Sequence, residues 1–516
     1  MKRRAFLRAA IGTMGGASIG CHANTGVSNA SPPAPRPASV ADSVAPTSRV
    51  DVEFALQAGE DELSLLAGPR TRVWRFSGQI QHGPQGALVQ NDASYLGPTI
   101  RVEQGGRMRV HLKNALGEAT IVHWHGLDVD AKSDGHPSYA IAAGGQYSYD
   151  FEVRNRAGTY WYHAHPDGRT GAQVYQGLAG LLIVSDAEER RLGLPDGDRE
   201  LLCVLQDRTF DEGNQLLYTP SAMSGFLGEQ VLVNGQLPRT LELPSGPHRL
   251  RILNGSNSRI YDLSWSDGSK LTVLGTDGGL LEVPFEREHL VLAPGQRLDV
   301  WADFGHGPGP DVWLESRPFE DPGTMMGMGM HGGMRRGRAV PVENGAPLRI
   351  QRFVARGNGR SARPPATLST SVDRRSLETA KGVAAKTFPI GMRGMRWLLN
   401  DAPFELRGVA ANERVKLGAV EDWQFVNPGG PMSMAHPIHV HGSQFRIMER
   451  EAGSGSTALR SGILDDGWQD TVLVLPGDRV RIRKRFANYP GLFLYHCHNL
   501  EHEDMGMMRN FLVETS

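Results

Sequence analysis

A chain of 516 residues exceeds one ordinary domain, so two to three globular units are expected. A formal net charge of −1 gives no pull toward nucleic acid or an anionic membrane, and 22% charged with 40% hydrophobic residues is an ordinary soluble composition. The 63 glycines and 32 prolines suit many short strands joined by turns, and three cysteines (Cys21, Cys203, Cys497) leave no room for a disulfide framework.

Residues 1–20 read as an export signal. Lys2-Arg3-Arg4-Ala5-Phe6-Leu7-Arg8 resembles the twin-arginine signal, and the small-residue apolar run after it is too short and glycine-rich to span a bilayer stably. That resemblance implies export of an already folded protein to the periplasm or cell envelope. Ser18-Ile19-Gly20-Cys21 is similar to a lipoprotein cleavage box, making Cys21 a candidate acylation site, although Ser18 stands where such boxes carry leucine. Residues 22–49, rich in Ala, Pro and Ser, read as a flexible tether.

From residue 50 onward short apolar runs alternate with Gly, Pro and Asp, a β pattern throughout. Two units recur three times. A strand ends in asparagine at Asn114, Asn254 and Asn427, and a turn opens a strand at Gly145-Gln146, Gly295-Gln296 and Gly477-Asp478. Three copies at comparable intervals predict three related β-domains, at 50–187, 196–356 and 385–516, with a polar linker at 357–384. Cys203, in the run Leu201-Leu202-Cys203-Val204-Leu205, reads as a buried strand residue.

Two further elements occur in the outer copies alone. His123-Trp124-His125-Gly126 matches His439-Val440-His441-Gly442. The stretch ending Tyr162-His163-Ala164-His165 matches the one ending Tyr495-His496-Cys497-His498, position for position. The comparable middle strand, around Trp313, has no histidine pair, so the middle copy reads as a spacer. In a strand, residues two apart share a face and their neighbour points the other way. Cys497 therefore faces one side, while His496 and His498 face the other. Four His-x-His pairs predict a cluster of eight imidazoles between the first and third domains. His436 and His502 have no counterpart in the first domain and remain to complete a site with Cys497. A cysteine with two histidines and a weak axial methionine, here Met507, is a blue-copper ligand set.

A lone His-x-His ordinarily just faces solvent, and a zinc site is the competing metal assignment. Ten histidines and one cysteine, however, divide between the two sites with no ligand missing, and zinc does not call for a remote thioether. His22, His82, His111, His136, His248, His289, His306 and His331 fall outside the pattern and read as ordinary residues.

Together the motifs H-x-H-G at 123–126, H-x-H at 163–165, H-P-x-H-x-H at 436–441 and H-C-H-x₃-H-x₄-M at 496–507 resemble the four signatures of the multicopper oxidases. The resemblance spans the three-domain body. It implies an all-β fold of three cupredoxin-like Greek-key β-sandwich domains and four copper ions that couple substrate oxidation to reduction of dioxygen to water. By matching positions it implies type 1 copper at His436, Cys497 and His502 with Met507 axial, and type 2 copper at His123 and His439. The type 3 pair would take His125, His163 and His498 on one ion, and His165, His441 and His496 on the other. Cys497 is then the point where electrons are taken up. Glu503 and Asp134 match acidic positions that donate protons in related bacterial oxidases; read bottom-up, Asp134-Gly135 is equally a good turn pair.

Substrate choice turns on methionines. Met325, Met326, Met328, Met330 and Met334 crowd a glycine-rich stretch, and Met432 and Met434 precede His436. Thioethers are soft ligands suited to Cu(I), and such stretches resemble those of bacterial cuprous oxidases. The leading expectation is therefore an exported monomeric oxidase of Cu(I), with other metal ions or small phenols as further reductants and a part in copper tolerance. A laccase-like oxidase of phenols and aromatic amines, with incidental methionines, is the alternative. A copper-binding or scaffold protein without turnover is the reading outside catalysis. A copper nitrite reductase would resemble a two-domain chain without four such pairs.

Overall fold

The computed structural model describes residues 50–305, 309–321, 342–370, 377, 384–430, 433–453 and 457–515. Its strands form six sheets, and no helix among the described residues is long and apolar enough to cross a membrane.

Two sheets arise between residues 52 and 185. One has the spatial order Thr71–His82, Val52–Leu63, Arg107–Asn114, Gln146–Glu152. The other has the order Leu88–Val89, Thr99–Glu103, Ala179–Ser185, Gly158–Ala164, Val122–His123. Each contains one parallel pair among antiparallel neighbours, Val52–Leu63 with Arg107–Asn114 and Thr99–Glu103 with Ala179–Ser185. Alternation decides which face turns inward. Met108, Val110 and Leu112 are buried, while Arg107, Arg109 and His111 between them are not. The inward residues of both sheets, among them Phe54, Val110, Ile100, Tyr160 and Leu182, make one core.

The same plan recurs twice. Residues 386–514 form two five-stranded sheets, with Lys386–Arg393 parallel to Val420–Val426 and Arg414–Lys416 parallel to Met508–Glu514. Residues 200–356 form a six-stranded and a five-stranded sheet, with parallel pairs Glu200–Arg208 to Gly246–Asn254 and Leu241–Pro244 to Leu348–Arg356. Each pair of sheets encloses its own core, around Trp265 and Phe353 in the middle and around Trp423 and Phe425 at the end. The architecture is all-β and cupredoxin-like. Cys203 is a buried, unpaired thiol within the middle core.

The recurrent asparagines have one job. The Asn114 amide donates to the carbonyls of Glu118 and Ile141, that of Asn254 to Arg259 and Leu292, and that of Asn427 to Met434 and Val474. Each amide thus ties two carbonyls from separate points of the following chain to the end of its strand. The recurrent turns close on the same point: Gly295 N donates to Asn254 O, and Gly477 N to Asn427 O. Register then repeats across the outer copies. Val122 pairs with Ala164 and His123 with His163, just as Ile438 pairs with Cys497 and His439 with His496.

Candidate metal centre

Strand Gly491–Cys497 lies beside His436–Val440, and its last residue runs into the short helix Leu500–Asp504. Asn499 caps that helix by accepting from His502 N. Consecutive helical residues point about 100° apart, so His502 and Glu503 serve different sites. On one face Cys497 Sγ lies 3.5 Å from His436 Nδ1 and 3.8 Å from His502 Nδ1. Met507 is fully buried in the same core, and its carbonyl accepts from Cys497 N at 3.0 Å. Trp397 covers this face, its ring centroid 4.5 Å from that of His502 and 4.9 Å from that of His436.

On the other face the eight imidazoles of the four His-x-His pairs meet, all completely buried. His123 Nε2 lies 3.3 Å from His439 Nε2, His441 Nε2 3.1 Å from His496 Nε2, and His165 Nε2 3.4 Å from His496 Nε2. The ligand atoms of His165, His441 and His496 fall within 4.8 Å of one another, as do those of His123, His125 and His163. His498 stands with its ring centroid 5.0 Å from His125 and 5.4 Å from His163. Backbone carbonyls orient the rings: Asp134 O receives His123 Nδ1 at 2.6 Å and Asp470 O receives His439 Nδ1 at 2.7 Å.

Both expected carboxylates reach the cage. Asp134 Oδ2 is 2.7 Å from His441 Nδ1, and Gly135, at φ 90°, lets this turn pack on the backbone of Val122 and His123. Glu503 Oε2 is 3.0 Å from His496 Nδ1, and its Oε1 is 3.4 Å from His165 Nε2. Burial pushes the Asp134 carboxyl well above the usual carboxylate range, against the pull of Lys484. Burial would raise Glu503 too, but His496 and His165 outweigh it and hold its pKa below that range.

Family models for multicopper oxidases match residues 76–189 and 373–516. The chain is 30% identical over 427 residues to a multicopper oxidase of Staphylococcus aureus, covering 82% of this chain and 83% of that one. It is 30% identical over 504 residues to a laccase of Bacillus stratosphericus, covering 86% and 90%. This chain belongs to the multicopper oxidases. Among solved structures, the McoA multicopper oxidase of Aquifex aeolicus superposes with a TM-score of 0.74 at 31% identity, covering 90% of this chain and 96% of that one. A multicopper oxidase is an oxidoreductase with copper as cofactor and dioxygen as electron acceptor.

The residues fit copper. His163 Nε2, His165 Nδ1, His125 Nδ1 and both ring nitrogens of His498 are buried without a hydrogen-bond partner. Facing Nε2 atoms at 3.1–3.4 Å cannot both carry protons, and burial drives the rings toward the neutral form, His165 to about 4 and His498 to about 3. Converging neutral imidazoles with unpaired ring nitrogens are a donor set suited to a cation. Burial also raises the Cys497 thiol, so a thiolate there needs a metal beside it.

Several participants carry no motif. Asp470 Oδ1 is 3.0 Å from His125 Nε2, while His125 Nδ1 is buried without a hydrogen-bond partner. Arg297, fully buried, grips Asp470 through Nη1 and Nη2, each at 2.6 Å, with Asp277 alongside. Gly295 lies so close to His498 that a Cβ would meet the ring at 2.9 Å. The middle copy, cast as a spacer because it lacks histidine pairs, thus supports the cage with Gly295 and Arg297. Lys484 Nζ is buried without a hydrogen-bond partner, its pKa pushed down to about 8 by burial against the opposing pull of Asp128, Asp470 and Asp134. Among the described residues outside the pattern, His82, His111, His136, His248 and His289 join no metal-ligating group; His136 pairs with Asn510 and His289 with Asp262. Met434 is half-buried against the last core. Cys21, Met325, Met326, Met328, Met330, Met334 and Met432 lie outside the described residues; strands Asp311–Ser316 and Leu348–Arg356, which flank the methionine-rich stretch, pair antiparallel.

Proposed function

We propose that this multicopper oxidase carries four copper ions, takes electrons singly from Cu(I), and acts in copper tolerance in the periplasm or cell envelope after twin-arginine export. The observation that carries the copper assignment is the division of one strand: Cys497 Sγ meets His436 and His502 on one face, while His496 and His498 enter the eight-histidine cage on the other. Type 1 copper would be held by His436, Cys497, His502 and Met507, type 2 by His123 and His439. The type 3 pair would be held by His125, His163 and His498, and by His165, His441 and His496. Copper, when bound, supplies one-electron storage and the reduction of dioxygen.

The chain's own part is to connect, orient and protonate. The peptide links from Cys497 to His496 and His498 make a short covalent path between the two ligand sets. Asp134 and Glu503 hold protons or negative charge at the cage nitrogens, where a general acid is needed. Four Cu(I) ions give one electron each to become Cu(II), and with four protons these turn one dioxygen into two waters. The methionines of 325–334, with Met432 and Met434, offer soft donors for Cu(I).

One set of measurements tests both levels. Cys497→Ser should lose the intense blue absorption and the oxidation of Cu(I) and phenols alike, yet keep the copper of the cage; retained oxidase activity would refute the electron path. Deleting 324–334 should lower kcat/KM for Cu(I) about tenfold or more and leave phenol oxidation intact. Unchanged Cu(I) oxidation in that variant would favour the laccase-like reading.

A further inference from the structure

The outer nitrogen of His502 is not open to solvent. A segment of the middle copy, residues 218–226, lies across it. Ser221 and Gly225 exchange backbone hydrogen bonds at 2.9 Å, closing a tight turn with Met223 at its tip. Two carbonyls of that turn reach this face: Met223 O accepts from His502 Nε2 at 2.8 Å, and Ala222 O from Nε1 of the covering Trp397 at 2.9 Å. The Met223 side chain is half-buried against the core that contains Cys497 and Met507, while Ser221 and Ala222 are exposed.

The turn is fastened, not draped. Glu501, next to His502 in sequence, accepts from Tyr218 OH at 2.7 Å and Asn257 Nδ2 at 2.7 Å on one oxygen. Its other oxygen accepts from Ser258 Oγ at 2.7 Å and Phe226 N at 3.0 Å. Gly225, at φ 71°, fits only without a side chain, because a Cβ would run into Ser258 Oγ and the Asn499 amide. A carboxylate with four donors, two rings and a glycine corner hold a turn of five residues in one place.

We propose that the turn 221–225 is the docking platform for the electron donor and that Met223 determines its specificity. This rests on reading His436, Cys497 and His502 as the type 1 ligands. With His502 Nε2 engaged, a donor meets the Met223 peptide and thioether in place of the imidazole edge. A planar phenol then has no imidazole edge to hydrogen-bond to, whereas a soft cation with open coordination positions finds the thioether of the residue whose carbonyl holds His502. The electron leaves the donor, Cu(I) becoming Cu(II), and crosses the Met223 carbonyl–His502 hydrogen bond; dioxygen remains the final acceptor. The same carbonyl makes the imidazole a stronger donor to its metal, which favours the oxidised ion.

Two variants of the copper-loaded full chain test it against wild type. Met223→Leu keeps the carbonyl and the volume but removes the sulfur. It should raise KM for Cu(I) about tenfold or more, leaving kcat, the blue absorption, its redox midpoint and phenol oxidation unchanged. Gly225→Val should dislodge the turn, raise kcat/KM for 2,6-dimethoxyphenol about tenfold, and move the redox midpoint of the blue absorption upward. Wild-type Cu(I) kinetics in Met223→Leu would overturn the proposal, as would a folded Gly225→Val with unaltered donor preference and midpoint. Should Gly225→Val fail to fold, Met223→Leu decides alone. A copper-loaded wild type without blue absorption would instead bring down the type 1 assignment and this proposal with it.

Discussion

Glu503 and Asp134 touch the same histidine cage with opposite leanings. Asp134, raised by burial, favours its protonated form in the copper-free chain, while Glu503, surrounded by His496, His165 and His498, favours the carboxylate. Glu503→Gln preserves the volume and removes a carboxylate that can take up a proton and pass it to the cage. It should slow dioxygen reduction about 100-fold while leaving reduction of the blue centre by the donor untouched. Stopped-flow absorption separates the two: bleaching under anaerobic donor stays fast, and recovery of colour on adding dioxygen slows. Recovery at the wild-type rate would remove Glu503 from the proton path.

Strand Arg297–Phe304 of the middle copy brings Arg297 under the cage, where Asp470 and Asp277 share its guanidinium. Arg297 holds Asp470 ionised below the usual range, whereas burial lifts Asp277 above it. Arg297→Met leaves Asp470 a buried charge without its guanidinium, faced by His125, His439, the Thr471 hydroxyl and the Gln444 amide, at a cost of about 3–5 kcal/mol. Urea unfolding should show that loss, and metal analysis a reduced copper load; a variant with full stability and full copper would make the guanidinium incidental. Elements differ in how far their residues announced themselves. His-x-His pairs are legible because strand alternation puts positions two apart on one face, and the ligand set needs that spacing. Asn114, Asn254 and Asn427 were legible as a repeat, but the loop carbonyls they clasp exist only in the fold. Asp470, Arg297 and Met223 were invisible for a different reason. Each is a common residue type with no spacing constraint, joined to the site by contacts over long stretches of chain. The two domain-scale glycines, Gly295 and Gly477, lie between: the repeat flagged them, and only packing explains why Gly295 tolerates no side chain beside His498.

At the scale of the whole molecule, ion pairs around the buried Glu200 side chain join the first and middle copies. Glu200 contacts Arg251 at 2.6 Å and Arg101 at 2.7 Å, and Arg251 also bonds Glu189 and Thr159. Burial would raise the Glu200 carboxyl, but Arg251 and Arg101 outweigh it and bring its pKa from 4.5 down to about 2. A carboxylate depressed on folding adds stability above its unfolded pKa and loses it as pH falls through the folded one. Glu200 therefore contributes fully above about pH 4.5 and nothing below about pH 2, with a ceiling of about 3 kcal/mol. Urea unfolding of wild type and Glu200→Gln, separated at pH 7, should converge across that window; parallel curves would show that the interface does not draw on this charge.

The cage has a consequence for how the protein is made. Four of its histidines lie at 123–165 and four at 439–498, and Glu503 comes later still. No nascent chain on the ribosome holds all eight imidazoles until residue 498 has been made, and no fragment ending before residue 439 has more than half of them. Oxygen-activating copper, a hazard in any unfinished polypeptide, has nowhere to assemble until the last strands close.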